Sequence, residues 1–253
     1  MYDERPTMAD DQPDGTGAEP EAGSKSTEPG EPDRAAVRDT YDRIASHFAS
    51  TREYPWPEVE AFVDDHGSLE APTVGLDLGC GNCRHAELLA DVPDLETVVG
   101  VDASRGLLET GRERAGEQGF DVELCQGDAS TLPLADGTVG LAVYVATLHH
   151  LPTASVRRAS LDELARVLSP DGRALVSAWS TAHDRFDADG TEGFDTTVEW
   201  TLPGGETVDR FYHIYAPEEF ERQLERSDLE VVDWELSSGN CYATVAGADG
   251  SVR

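Results

Sequence analysis

Between residues 74 and 179 the chain alternates short β-branched runs with amphipathic helical ones, and nothing else in the 253 residues constrains the fold as strongly. Strand-like runs fall at 74–78, 97–102, 122–126, 139–145 and 174–179, with helical runs at about 83–91, 104–117 and 155–168. A strand returned to its own sheet through a helix makes a right-handed crossover, and repeated crossovers build a parallel sheet covered on both faces. Two further strand-like runs, about 230–236 and 241–246, follow a helix near 217–226. The expected fold is α/β: a doubly wound, mostly parallel, seven-stranded sheet in a single domain.

The flanks add detail. Val37, Tyr41, Ile44 and Phe48 form one stripe of a helix, and Pro57 suits the first turn of a second helix to about residue 65. Leu161, Leu164, Ala165 and Leu168 share one helical face, with Arg157 and Arg158 read as solvating the outer side. Ser169-Pro170-Asp171-Gly172 then reads as a stop and turn. Residues 180–210 read as a polar insertion near the substrate site, in which 196–202 and 207–212 pair as a hairpin about Pro203-Gly204-Gly205. Residues 1–33 hold too few large apolar side chains to offset ordering entropy. They are expected to be a disordered acidic tail before a domain at 34–253.

Fifty-one acidic residues against 19 basic ones leave a net charge of -32, and Lys25 is the one lysine. Such self-repulsion is tolerable where molar salt screens it, so the composition reads as adaptation to a salt-rich cytoplasm. Four cysteines do not make a disulfide framework in a chain of this length. No run approaches a membrane span and no basic-then-apolar leader is visible, so no membrane association and a cytoplasmic location are expected.

The chemistry starts at Asp77-Leu78-Gly79-Cys80-Gly81-Asn82-Cys83, where the first strand runs into a helix. Glycines there let the backbone turn tightly and approach a nucleotide closely. Asp102 ends the second strand, where a carboxylate accepts from ribose hydroxyls, and Gly127-Asp128 follows the third, where an acid can bind an adenine amine. A glycine loop alone would also suit a dehydrogenase. Here an acid precedes the glycines, no clean G-x-G-x-x-G exists, and Asp128 adds a third contact. That combination resembles the class I methyltransferases, whose cofactor is S-adenosylmethionine. The resemblance implies cofactor contacts from Asp77, Gly79, Gly81, Asn82, Asp102, Ala103, Asp128, Ala129 and Ala146. Cys83 stands where the family usually has glycine, and its thiol is expected to crowd the methionine end of the cofactor. Cys80 and Cys83 spell CxxC, but without a second pair or a suitably spaced His they read as packing residues, and no metal is expected.

Longer segments narrow the family. Tyr41 to Phe48, then Thr51-Arg52-Glu53-Tyr54-Pro55-Trp56-Pro57, resemble the N-terminal signature of the wobble-uridine tRNA methyltransferases. Ala146-Thr147-Leu148-His149-His150-Leu151 and Arg210-Phe211-Tyr212-His213 are similar to the same family. The resemblance implies methyl-ester formation on a 5-carboxymethyl group of the tRNA wobble uridine. An ionised carboxylate needs no general base, only positioning and desolvation. Arg52 and Arg210 are the candidates for holding that carboxylate through paired hydrogen bonds. His149 and His150 fall at the carboxyl end of the fourth strand, and Tyr41, Trp56, Tyr212 and His213 are expected to shape the substrate pocket. The sequence after that strand is not the Asn/Asp-Pro-Pro-aromatic run of amine methyltransferases. A same-fold enzyme acting on a small molecule or protein, or a silent partner subunit, stays open at this point. A basic strip for tRNA would come from Arg34, Arg38, Arg43 and Arg52. The resemblance also implies a small zinc-binding activator protein that extends the sheet at the third-strand edge, here 122–126.

Overall fold

The computed structural model describes residues 33–69, 73–186 and 190–247. The expected tail lies outside these, except Asp33, whose carboxylate accepts from Ala35 N and caps helix α1 (Arg34–Ser50). Helix α2 (Pro57–His66) follows, opened by its proline. The alternating region is β1 (Thr73–Leu78), α3 (Arg84–Ala90), β2 (Leu95–Asp102), α4 (Arg105–Gln118), β3 (Glu123–Gln126), β4 (Val139–Tyr144), α5 (Ala154–Val167) and β5 (Leu168–Trp179). Strands β6 (Phe194–Thr201) and β7 (Thr207–Ile214), helix α6 (Pro217–Glu225), β8 (Leu229–Ser237) and β9 (Asn240–Gly247) complete the described chain.

The sheet has seven strands, as the alternation predicts, and runs in the order β3-β2-β1-β4-β5-β9-β8. Every pair from β3 to β5 is parallel, and β9 runs antiparallel between β5 and β8. Alternate side chains feed two cores. Leu76, Leu78 and Tyr144 pack with Leu161 and Leu164 of α5 and Phe220 of α6. Leu141 and Val143 pack on the other face with Val59 and Phe62 of α2 and Ala86 and Leu89 of α3. A third cluster joins Tyr41, Ile44 and Ala45 of α1 to Leu107 of α4 and to Trp200 and Val208 of the β6–β7 hairpin.

Two expectations are corrected. Ser169–Gly172 does not precede the fifth strand but sits inside it. Leu168 pairs with Val139 and Arg173 with Leu141, so the intervening residues form a bulge where the register shifts. Arg157 does not solvate the outer face of α5. It is 3% exposed, donates to the Leu151 carbonyl at 3.1 Å and lies over the Tyr215 ring, because the first turn of α5 abuts the strand β4 exit. Arg158 is the exposed member, paired with Asp162. The hairpin forms about Leu202–Glu206, where Gly204 and Gly205 take φ of 115° and 87°.

Candidate active site

Strand β1 delivers the chain to a loop of left-handed residues: Gly79 at φ 75°, Gly81 at 53° and Cys83 at 63°. Gly79 and Cys80 N–H groups donate to the Val101 carbonyl, which pins the loop to β2. At Gly79 a Cβ would fall 2.1 Å from Thr147 Oγ1, so the loop can pass over the β4 exit only without a side chain. A Cβ at Gly81 would meet no atom within 4 Å; its open side is what a ligand lying on the loop requires.

The cleft above the loop is lined by Gly79, Gly81, Asp102, Ala103, Asp128, Ala129 and Ala146, all expected cofactor residues. Tyr41, Phe48, Thr147 and His150 line it toward the β4 end, and Arg34, Val37 and Arg38 of α1 roof it. The Asp102 carboxylate is oriented by Gly81 N at 2.9 Å and Ser104 N at 2.8 Å, and desolvation pushes its pKa up to about 6. Asp128 accepts from Ser130 N and Oγ through one oxygen and from Arg34 Nη1 at 2.5 Å through the other. Ala146 holds a left-handed φ of 53°, with its N–H on Ser177 Oγ. Backbone strain of this kind collects at functional sites.

Asp77 and Asn82 are placed differently from expectation. Asp77 is 1% exposed, turned under the loop, where it accepts from Ala86 N at 2.9 Å and anchors the first turn of α3. Burial raises its pKa to about 7. Asn82 spends its amide on the carbonyls of Arg52 at 2.7 Å and Ala49 at 3.3 Å. Cys83 does not crowd the cleft either. Its left-handed backbone turns the thiol into the core against α4, where a Cβ on Gly111 would lie 2.5 Å from Cys83 Sγ. Among the described residues no group of three or more His, Cys, Asp or Glu could hold a metal ion.

At the far end two buried guanidinium groups converge on one indole. Arg52 lies 3.5 Å from the Phe48 ring and 5.3 Å from Trp200; Arg210 lies 4.7 Å from Trp200 and 5.2 Å from Tyr212. Trp200 escaped the sequence reading, although the alternation Val198, Trp200 opposite Val208, Arg210 points it inward. Its Nε1 donates to His47 Nδ1. His150 Nδ1 faces the Phe211 carbonyl at 3.0 Å and must carry a proton there, while Nε2 lies 2.9 Å from Tyr41 Oη. His149 Nδ1 accepts from Trp179 N at 2.9 Å, leaving the proton on Nε2. Burial, with His150 and Arg210 adding to it, holds His149 well below the usual histidine pKa, and it is neutral at pH 7. The Tyr212 ring lies tilted against His149 at 5.0 Å and edge-on to His150 at 4.4 Å.

Trp56 and His213 lie elsewhere than the substrate pocket expected for them. Trp56 packs on His85 and Tyr242 beneath Arg84. His213 sits one residue out of phase with Arg210 and Tyr212 on β7, and its ring nitrogens meet Asp195 Oδ1 at 2.6 Å and Glu219 Oε1 at 2.9 Å. It clamps the hairpin to α6.

A methyltransferase-domain family profile matches residues 76–176. A tRNA (carboxymethyluridine(34)-5-O)-methyltransferase of Schizosaccharomyces pombe is 30% identical over 170 residues, 66% of this chain and 68% of that protein. The chain belongs to the tRNA carboxymethyluridine methyltransferase family. The mouse relative, tRNA (carboxymethyluridine(34)-5-O)-methyltransferase ALKBH8, is 35% identical over 144 residues, 57% of this chain; the chain spans only 20% of that relative's length. A Haloferax volcanii structure, a complex between the Trm112 methyltransferase activator and a putative methyltransferase, superposes with a TM-score of 0.61 at 14% identity. That match covers 86% of this chain and 100% of the other, and it shows the fold. The family's cofactor is S-adenosylmethionine, and the residues present fit it: an oriented carboxylate at Asp102, a bare loop face at Gly81 and an apolar roof from Val37.

Proposed function

We propose that this chain methylates the 5-carboxymethyl group on the wobble uridine of tRNA, forming its methyl ester. The observation that carries this reading is the convergence of Arg52 and Arg210 on Trp200 at the end of the cofactor cleft. Two guanidinium groups fit a planar carboxylate through paired hydrogen bonds, and water exclusion by Phe48, Trp200 and Tyr212 strengthens that attraction. S-adenosylmethionine supplies, when bound, an electron-poor methyl group on sulfur. Asp102 and the Gly79–Gly81 loop would hold its ribose end, and Ala146, Thr147 and Phe48, the ring under the Arg52 guanidinium, line the same cleft. The acceptor oxygen is already ionised, so neutral His149 has no proton to remove. Its fixed Nε2–H serves as a donor beside Tyr212.

A zinc-binding activator at 122–126 fits the same reading. Strand β3 is a sheet edge with exposed Glu123 and Gln126, and a groove lined by Arg105, Leu108, Glu109, Arg112, Leu124 and Gln126 runs beside it. The net charge of -32 supports work in a salt-rich cytoplasm, where repulsion from tRNA is muted. Arg52→Ala and Arg210→Ala variants, assayed for turnover on tRNA and for cofactor binding by calorimetry, test the assignment. A steep fall in turnover to a small measurable residue, with binding intact, is expected; full activity in both variants removes the carboxylate-holding role.

A further inference from the structure

We propose that Asn82 is a positioning residue that couples the cofactor loop to Arg52, so that ligand on the loop sets the arginine that meets the acceptor. The inference rests on the reading of Arg52 given above. Asn82 follows Gly81 directly, and Gly81 N–H holds Asp102 Oδ2 at 2.9 Å, the carboxylate that takes the ribose. One residue on, the Asn82 amide donates to the Arg52 carbonyl at 2.7 Å and to the Ala49 carbonyl at 3.3 Å. Arg52 N in turn donates to the Ala49 carbonyl at 3.1 Å, so Asn82 grips both ends of the turn that closes α1.

The side chain is 7% exposed, and the two carbonyls it faces fix the amide's orientation, since an oxygen there would repel both. A continuous path runs from Asp102 through Gly81 and Asn82 to the backbone of Arg52, whose guanidinium lies on Phe48. Movement of the loop by a fraction of an ångström is passed to a group whose placement decides how the acceptor sits. An ordinary helix cap would satisfy the same carbonyls without linking the two ligand sites.

The test compares Asn82→Ala and the isosteric Asn82→Asp, which keeps the volume but cannot donate to either carbonyl. With purified chain and tRNA, kcat/KM for the acceptor should fall ~10–100-fold, since a misplacement near 1 Å can cost about a hundredfold. The cofactor Kd should stay within about threefold, and the Asn82→Ala/Arg52→Ala double variant should lose no more than Arg52→Ala alone. A second arm needs no tRNA: amide hydrogen exchange over residues 49–54 with and without S-adenosylmethionine. Protection on adding the cofactor, absent in Asn82→Asp, supports coupling. Unchanged exchange in the wild-type chain, equal protection in the variant, or losses that add in the double variant overturn it. If wild-type chain methylates no tRNA, the functional reading fails while the exchange arm still decides the coupling.

Discussion

The backbone N–H of Gly81 donates to Asp102 Oδ2 at 2.9 Å, so the glycine loop itself orients the carboxylate expected to take the ribose. Desolvation outweighs this bond and those from Ser104 and Ala103, leaving the pKa at about 6. Ribose hydroxyls donate to the ionised form, which is lost as pH falls through 6. Cofactor affinity should be flat above pH 7 and weaken ~tenfold per pH unit well below 6, as binding linked to one proton requires. Calorimetry between pH 5 and 8 checks this, and Asp102→Asn should bind more weakly with no such slope. A constant Kd across the range would contradict it.

Asp77 makes the opposite use of the same physics. Its folded pKa of about 7 stands above the unfolded 3.8, so ionisation in the fold is unfavourable. That penalty is complete above pH 7, shrinks as pH falls, and vanishes below the unfolded value. Asp77→Asn can still accept from Ala86 N without a buried charge. Its Tm should therefore rise at pH 8 and rise less at pH 5; thermal unfolding at both values shows whether the gain has this sign.

The two loop glycines should respond differently to alanine. At Gly79 the methyl meets Thr147 Oγ1 at 2.1 Å as well as the left-handed φ of 75°. Backbone strain of ~1–2 kcal/mol and overpacking of ~1–3 kcal/mol add, so thermal stability should drop steeply. At Gly81 the methyl enters open space, and only the backbone cost of about 1–2 kcal/mol applies. Gly81→Ala should stay folded and lose cofactor affinity, because its Cβ projects into the cleft. Equal melting temperatures for the two variants would show that the approach to Thr147 is not tight.

Arg34 occupies the Asp128 oxygen that an adenine amine would seek. Both side chains are about half exposed, so the pair is weak and salt-sensitive. Arg34→Ala should tighten cofactor binding about two- to threefold in dilute buffer and converge with wild type near 1 M salt, where screening acts within about 3 Å. Weaker binding by the variant at every salt concentration would mean that Arg34 helps to hold the cofactor instead.

The parallel sheet was legible because strand and helix runs are local in sequence, and so was the placing of Asp102 and Asp128 at strand ends on one cleft. Features set by direction were not. A cysteine at a family glycine position looked obstructive, but at φ 63° its thiol points to Gly111. Arg210-Phe211-Tyr212-His213 read as one pocket segment, yet strand alternation sends His213 away to Asp195 and Glu219. That period of two was available in the sequence and would also have found Trp200. Asn82 sat in a cofactor motif, and only the return of the α1 turn over the loop shows what its amide holds.

Ester formation on tRNA is tested most directly by the base lability of the transferred methyl group. Purified chain, with a zinc-binding activator co-expressed, is incubated in molar salt with methyl-labelled S-adenosylmethionine and tRNA carrying carboxymethyluridine. Label should enter the tRNA and leave as volatile methanol on mild alkaline treatment, as a methyl ester requires. Label that stays on the tRNA through alkali, or that enters only protein or small molecules, would contradict the account.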